Sequence, residues 1–168
     1  MARSHAETFS EVDVRAVYLF NFAVFVDWPS SAFESSTSPI RYCVVGSQAL
    51  RASLELVLDD EHVGGRALQL MPATEPLNWR RCHLLYIGHG AKTRARQILT
   101  AVRGAAVLTI GASEEFVREG GMIGLVRRGQ RLRAIVDRDA AERVGIRISS
   151  KLLRLSTLVS GIREGVAP

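Results

Sequence analysis

Two cysteines and four histidines have the widest chemical repertoire in this chain, and their spacing limits how much of it is available. Cys43 and Cys82 are too far apart for a Cys-x-x-Cys redox pair. Two thiols make a structural zinc site only if histidines join them. His5, His62, His83 and His89 show no ligand spacing, so no metal is expected. His83 directly follows Cys82, but neighbours on a strand point to opposite faces, which argues against a Cys–His nucleophile. No serine stands in a nucleophile elbow. Gly88-His89-Gly90 lacks the third glycine of a dinucleotide fingerprint; it reads as a plain turn or as an anion-facing turn before a helix. Asp59-Asp60-Glu61 reads as a solvated turn, and Glu114 and Glu115 as acids favoured by a helix start. Gly46-Ser47-Gln48 stands where a receiver-type domain would carry its phosphoacceptor acids. The expectation is a protein that is not an enzyme and needs no cofactor.

Binding chemistry has more candidates. Arg147, Lys151 and Arg154 make a basic rim near a helix start, suited to a carboxylate or phosphate, or they are ordinary solvent-facing charges. Trp28 and Trp79 line a pocket or interface, or pack in the core.

The elements that must position these groups alternate between helix and strand. Ser10 to Val26 reads as a helix capped by Ser10 and Asp13, with Val14, Val17, Tyr18, Phe22 and Phe25 at helical spacing. Trp28-Pro29 ends it. Ile40–Val45 is a strand, and Ala49–Leu58 a helix with Leu50, Leu54, Leu56 and Val57 as its apolar positions. His62–Gly65 reads as a turn, followed by strands at Arg66–Met71 and His83–Ile87. A helix over Thr93–Val102, a strand at Ala105–Ile110 and a short helix from Ser113 to Arg118 come next. Met122–Arg127 and Arg131–Val136 have hairpin spacing around Gly129. Asp137–Val144 is a short helix, and Ser149 or Ser150 caps a last helix through Val159. The pattern predicts an α/β fold: a mainly parallel central sheet of about six strands with an antiparallel hairpin edge and helices on both faces. Residues 10–160 form a single domain between tails at 1–9 and 161–168.

Composition agrees. The chain has 168 residues, 47% hydrophobic and 23% charged, enough for one substantial core and unlike a disordered chain. Its charge of +5 comes from 20 arginines against 2 lysines. The arginines are spread without a dense cluster or basic tail, so nucleic acid is not the expected partner. The apolar run Ala16–Val26 is broken by Asn21 and followed by Asp27; it is too short to span a membrane and has no signal-peptide cleavage site.

On this reading Cys43 lies in the first strand and Cys82 at the entrance to a later one. Neighbouring strands lie about 4.8 Å apart, within reach of a disulfide if the residues oppose one another. A disulfide would imply an oxidising compartment; two buried free thiols would not.

The motifs also carry a resemblance. Residues 14–23, Val-Arg-Ala-Val-Tyr-Leu-Phe-Asn-Phe-Ala, with Phe25-Val26-Asp27-Trp28-Pro29, resemble the opening motif of YfiR-like proteins. Ile40 to Gly46, Gly64-Gly65-Arg66, Arg81-Cys82-His83, Leu108-Thr109-Ile110-Gly111, Phe116 and Gly120-Gly121-Met122-Ile123 continue it. The run from Gly145 to Leu155 is the most family-like stretch. The resemblance implies a periplasmic regulator, made with a signal peptide that this chain lacks and that we read as trimmed. It implies repression of an inner-membrane diguanylate cyclase through its periplasmic sensing domain, with lower cyclic-di-GMP and less biofilm. It implies release by an outer-membrane lipoprotein that sequesters the repressor, a homodimer, and a disulfide at positions matching Cys43 and Cys82. Small-ligand binding near Glu142, Arg147 and Arg154 also follows, which keeps open the alternative of a periplasmic small-ligand sensing module acting on another membrane receptor or kinase. The best-known repressor carries a second cysteine pair in its C-terminal half that is absent here, so a redox switch built on that pair is not expected.

Overall fold

The structure is a computed structural model that describes residues 10–72 and 78–154, and the backbone of 157–159. The tails read from the sequence at 1–9 and 161–168, and Leu155, lie outside the described residues. The first helix, α1 (Glu11–Phe25), is capped as its sequence predicts: Ser10 Oγ accepts the Asp13 N–H at 3.1 Å. Its buried face is Ala16, Leu19, Phe22 and Ala23, together with the charged Arg15. Val17, expected inside, is 45% exposed. Apolar residues lie on every side of this helix, so periodicity alone does not single out the face that packs.

A two-residue strand, β1 (Val26–Asp27), follows, and then β2 (Ile40–Val45), which is buried along its whole length. Helix α2 (Gln48–Val57) is capped by Ser47 and buries Leu50 and Leu54, while Leu56 points out at 81% exposure, contrary to the sequence reading. His62–Val63 is a strand, β3, where the sequence suggests only a turn. It pairs antiparallel with β4 (Arg66–Leu70) across Gly64-Gly65, whose φ values of 60° and 80° suit the primed turn that joins twisted strands. Next come β5 (Leu84–Ile87), a 3₁₀ stretch at His89–Arg94, α3 (Ala95–Ala101), β6 (Leu108–Gly111) and α4 (Glu114–Arg118), the last capped by Ser113. The predicted hairpin is β7 (Ile123–Arg128) and β8 (Arg131–Asp137).

The C-terminal part departs furthest from expectation. After α5 (Arg138–Glu142) comes a short strand, β9 (Arg147–Ile148). The last helix, α6 (Ser150–Arg154), does not reach Val159; Thr157–Val159 is a strand, β10, parallel to β8. A short leucine-rich run is compatible with either helix or strand, and pairing to β8 decides it.

The sheet order is β10-β8-β7-β6-β5-β2-β4-β3, and β1 and β9 form a separate antiparallel ladder. Strands β4, β2, β5, β6 and β7 run parallel, and the hairpin brings in the antiparallel strand β8. Alternation divides the core in two. Tyr42, Val44, Leu84, Tyr86 and Ile110 face α1 and α2, whereas Cys43, Val45, Leu85 and Ile87 face α3 and α4. This is the mixed, mainly parallel α/β sheet with helices on both faces that the sequence predicts.

Candidate functional site

Open α/β sheets usually bind ligands beyond the carboxyl ends of their strands, where neighbouring connections leave in opposite directions. Here that point lies between β2, which leads to α2 on one face, and β5, which leads to α3 on the other. Backbone fills the crevice. Gly90 N–H donates to Gly46 O at 3.0 Å, and Gly88 N–H to Val45 O at 2.8 Å. A Cβ on Gly46 would lie 2.5 Å from Ala91 N, and one on Gly90 would lie 2.7 Å from Gly46 O. The N–H groups of Gly88 and Gly90 are thus committed to the protein and do not face an anion. The small cavity beside them, between Gly88 and Phe116, is about 100 Å³.

The opposite end of the sheet is more developed. Cys43 and Cys82 are joined in a disulfide with Cα atoms 5.9 Å apart. The bond ties β2 to the entrance of β5 within the α3-side core. Next to it, His83 is held from every side. Its Nδ1 accepts the Arg41 N–H at 2.9 Å, and its Nε2 lies 2.8 Å from Ala32 O. The ring therefore carries its proton on Nε2 and donates to that carbonyl. Phe33 stacks on the imidazole at 4.3 Å, and Arg66 lies 3.6 Å over the outer face of Phe33. The indole N–H of Trp28 donates to His83 O at 2.9 Å. Burial pushes the imidazole pKa down to about 4, against a smaller upward pull from the Ala32 hydrogen bond. With both nitrogens occupied, His83 is a structural pin for the segment from Trp28 to Phe33 and not a general base.

That segment has a second anchor. Val26 pairs with Ile148 and Asp27 with Arg147, so the runs Val-Asp-Trp-Pro and Gly-Ile-Arg-Ile-Ser form one ladder. Ser149 N–H extends it to Phe25 O at 2.8 Å. Beside the ladder lies an open cavity of about 600 Å³, walled by Pro29, Phe33, Cys82, His83 and Val144. Arg41 and Arg81 stand at its polar side; Arg41 is partly committed, donating to Arg81 O at 2.7 Å and pairing with Glu34 at 3.4 Å. An aromatic wall and guanidinium groups suit a small anionic or amphipathic molecule.

The residues singled out from the sequence fall in several places. Trp28 is half-buried at this end of the sheet, packed on the α1-side core. Trp79 is half-buried against the α3-side core, with Arg94 lying 5.9 Å from its ring. Arg147 is exposed on β9 opposite Asp27. Glu142 accepts from Arg138 Nε at 2.9 Å, one turn away on α5. Lys151 and Arg154 are exposed on α6. Among the described residues, no ion pair or hydrogen bond joins Glu142, Arg147, Lys151 and Arg154. In the sequence His83 is weighed only as a metal ligand or a thiol partner, and Phe33 and Arg41 are not singled out, because the roles of all three at the pinned end depend on partners far along the chain. Among the described residues, no cluster of three or more His, Cys, Asp or Glu could hold a metal ion, and no helix is long and apolar enough to cross a membrane.

Comparison with known proteins adds an identity to this geometry. The sequence profile of a family described as YfiR/HmsC-like matches residues 12–157. A search of curated proteins returned no match. Among solved structures, a conserved domain protein from Vibrio cholerae O1 biovar El Tor is similar at a TM-score of 0.58 with 16% identity. The match covers 89% of this chain and 60% of that one, and at this identity it speaks for the fold alone.

Proposed function

The chain belongs to the YfiR/HmsC-like family, one of periplasmic regulators of the cyclic-di-GMP system, and from that premise we propose that it binds and represses a membrane-bound diguanylate cyclase. The observation that carries this reading is the family match over residues 12–157, which takes in both strands of the β1–β9 ladder and both cysteines. The buried disulfide suits an oxidising compartment such as the periplasm. Repression by occupancy makes and breaks no bond. The repressor holds the cyclase inactive by binding its inactive state more tightly than its active one. A hundredfold difference in affinity corresponds to about 2.7 kcal/mol of bias. An outer-membrane lipoprotein that covers an overlapping surface would relieve the repression, and a homodimer would present that surface twice.

The test is co-purification of the full chain with the periplasmic segment of the candidate cyclase, followed by cellular cyclic-di-GMP on deletion of the gene. Stable binding and a rise in cyclic-di-GMP are expected. No binding together with an unchanged cyclic-di-GMP level would overturn the reading.

The cavity bounded by Phe33, His83 and Arg81 favours a second reading, a small-ligand sensing module whose output is another membrane receptor or kinase. Titration with small aromatic carboxylates, followed through the fluorescence of Trp28 and Trp79 together, would separate the two. Saturable quenching that Arg81→Ala abolishes supports sensing, and no response at millimolar ligand argues against it.

A further inference from the structure

Helix α1 has more apolar surface than the fold covers. The eleven residues from Ala16 to Val26 carry no charge, and a helix that is apolar all round belongs between two packed surfaces. Its inner face, Ala16, Leu19, Phe22 and Ala23, is buried in the core. The outer stripe is Val17, Phe20, Asn21 and Val24, whose spacing of three and four residues places them on one side of the helix. Val17 and Val24 are each almost half exposed, and Phe20 and Asn21 are only partly buried.

Helix α2 continues this surface. The Ser53 hydroxyl donates to Asp13 Oδ1 at 2.9 Å, which fixes where the two helices touch. Val17 comes about one turn after Asp13 and Leu56 about one turn after Ser53, and both stand on the solvent side of the seam. Ala49 and Ala52 are exposed on the same helix as Leu56. Val17, Val24 and Leu56 are the large apolar side chains left exposed among the described residues, and all three lie on this one layer. Single exposed apolar residues are ordinary on a protein surface, whereas a contiguous set marks a contact.

Asn21 is the one polar side chain of the stripe, and its amide group makes no hydrogen bond among the described residues. An amide both donates and accepts, so two copies of it satisfy each other. Val17 stands four residues before it and Val24 three after, so a two-fold axis at Asn21 brings the valines of one helix onto those of the other.

We infer that α1 pairs with α1 of a second copy about a two-fold axis at Asn21, with Val17, Phe20 and Val24 as the apolar contacts and Leu56 at their edge. The stripe carries no charge, so two copies meet there without the repulsion that a net charge of +5 brings to other surfaces. At the crossing angle of roughly 50° common between packed helices the contact is confined to the middle turns, and the acidic ends at Asp13 and Asp27 stand apart. Those acids also oppose an anionic lipid surface, which draws helices rich in Lys and Arg. The inference rests on the proposed reading for a homodimer and on α1 for its surface, and it does not depend on the partner being a cyclase.

The test is sedimentation velocity of the full chain from low micromolar to submillimolar concentration. A reversible monomer–dimer equilibrium is expected, weakened at least tenfold by Val17→Glu with Val24→Glu. A charge-matched control, Ala67→Glu with Gln69→Glu, should change it less than twofold. All four residues are exposed, the control pair sits on the face of β4 turned away from α1 and α2, and thermal melts check that both variants fold. Asn21→Cys should form a disulfide between copies under mild oxidation, and Ala67→Cys should not. A chain that stays monomeric throughout would overturn both the homodimer and this surface. A dimer that survives Val17→Glu with Val24→Glu, or that cross-links through Ala67→Cys and not through Asn21→Cys, would overturn the surface alone. A monomer that binds phosphatidylglycerol vesicles or the cyclase segment through Val17 and Val24 would give the stripe another occupant and overturn the inference as well.

Discussion

His83 Nδ1 accepts the backbone N–H of Arg41 at 2.9 Å, so the residue after one cysteine of the disulfide is bonded to the residue two before the other. The bond requires a neutral ring. Protonation at Nδ1 would place N–H against N–H in a buried site that also faces Arg41 and Arg66.

This relationship sets the acid response. The folded ring titrates at about 4, below its ordinary value, so the unfolded chain takes up the proton first as pH falls. The contribution is complete above about pH 6.5, declines as pH falls towards 4, and amounts to at most about 3 kcal/mol. Urea unfolding at pH 7, 5.5 and 4.5 should show the decline, and His83→Asn should flatten it. An equal slope in the variant would place the effect on other groups, such as Glu11 and Glu34, whose carboxyl pKa values are held low by arginines.

The disulfide closes a loop of sequence separation 39, for which chain entropy predicts about 4 kcal/mol of stabilisation. The intact protein should be lighter than the dithiol by two hydrogens under non-reducing conditions. Replacing both cysteines with alanine should lower the urea midpoint by the equivalent of about 2–4 kcal/mol while the fold survives. Two thiols open to alkylation in freshly isolated protein would contradict the structure.

Arg15 is buried on α1 and joins three elements. It donates to Leu125 O at 3.0 Å, to the Tyr86 hydroxyl at 3.3 Å and to Glu11 at 2.7 Å. Arg15→Met keeps most of the volume but strands these acceptors, and a loss of about 3 kcal/mol is expected. In a double-mutant cycle, Tyr86→Phe should cost less when combined with Arg15→Met than it does alone. Strict additivity would mean that the two residues are not coupled.

Gly46 and Gly64 both have positive φ, 83° and 60°, but only Gly46 lies against other backbone. Gly64→Ala should therefore cost about 1 kcal/mol, from conformation alone. Gly46→Ala should cost clearly more or prevent folding, because its Cβ would lie 2.5 Å from Ala91 N. Equal thermal shifts would show that the crevice between β2 and β5 opens readily.

By itself the sequence determined the elements whose signals are local. β2, β5 and β6 are buried on both faces and read as largely apolar runs, interrupted by Arg41 in β2 and Thr109 in β6. Ser10 and Ser113 announce helix starts, and Gly129 announces the hairpin. The family motifs were also legible, although not why they matter together. Tertiary structure alone decided which face of α1 is buried, since Val17 and Leu19 are equally apolar and only packing against Tyr42 and its neighbours tells them apart. It decided that Thr157–Val159 is a strand, because β8 supplies its hydrogen bonds. It joined Val26 to Ile148 in a ladder too short for any periodic pattern to reveal. It set His83 between Arg41 and Ala32, and tied Tyr18 of α1 to Leu132 of the hairpin. Each of these rests on partners distant in the chain, and residue spacing carries no record of such pairings until the sheet has assembled.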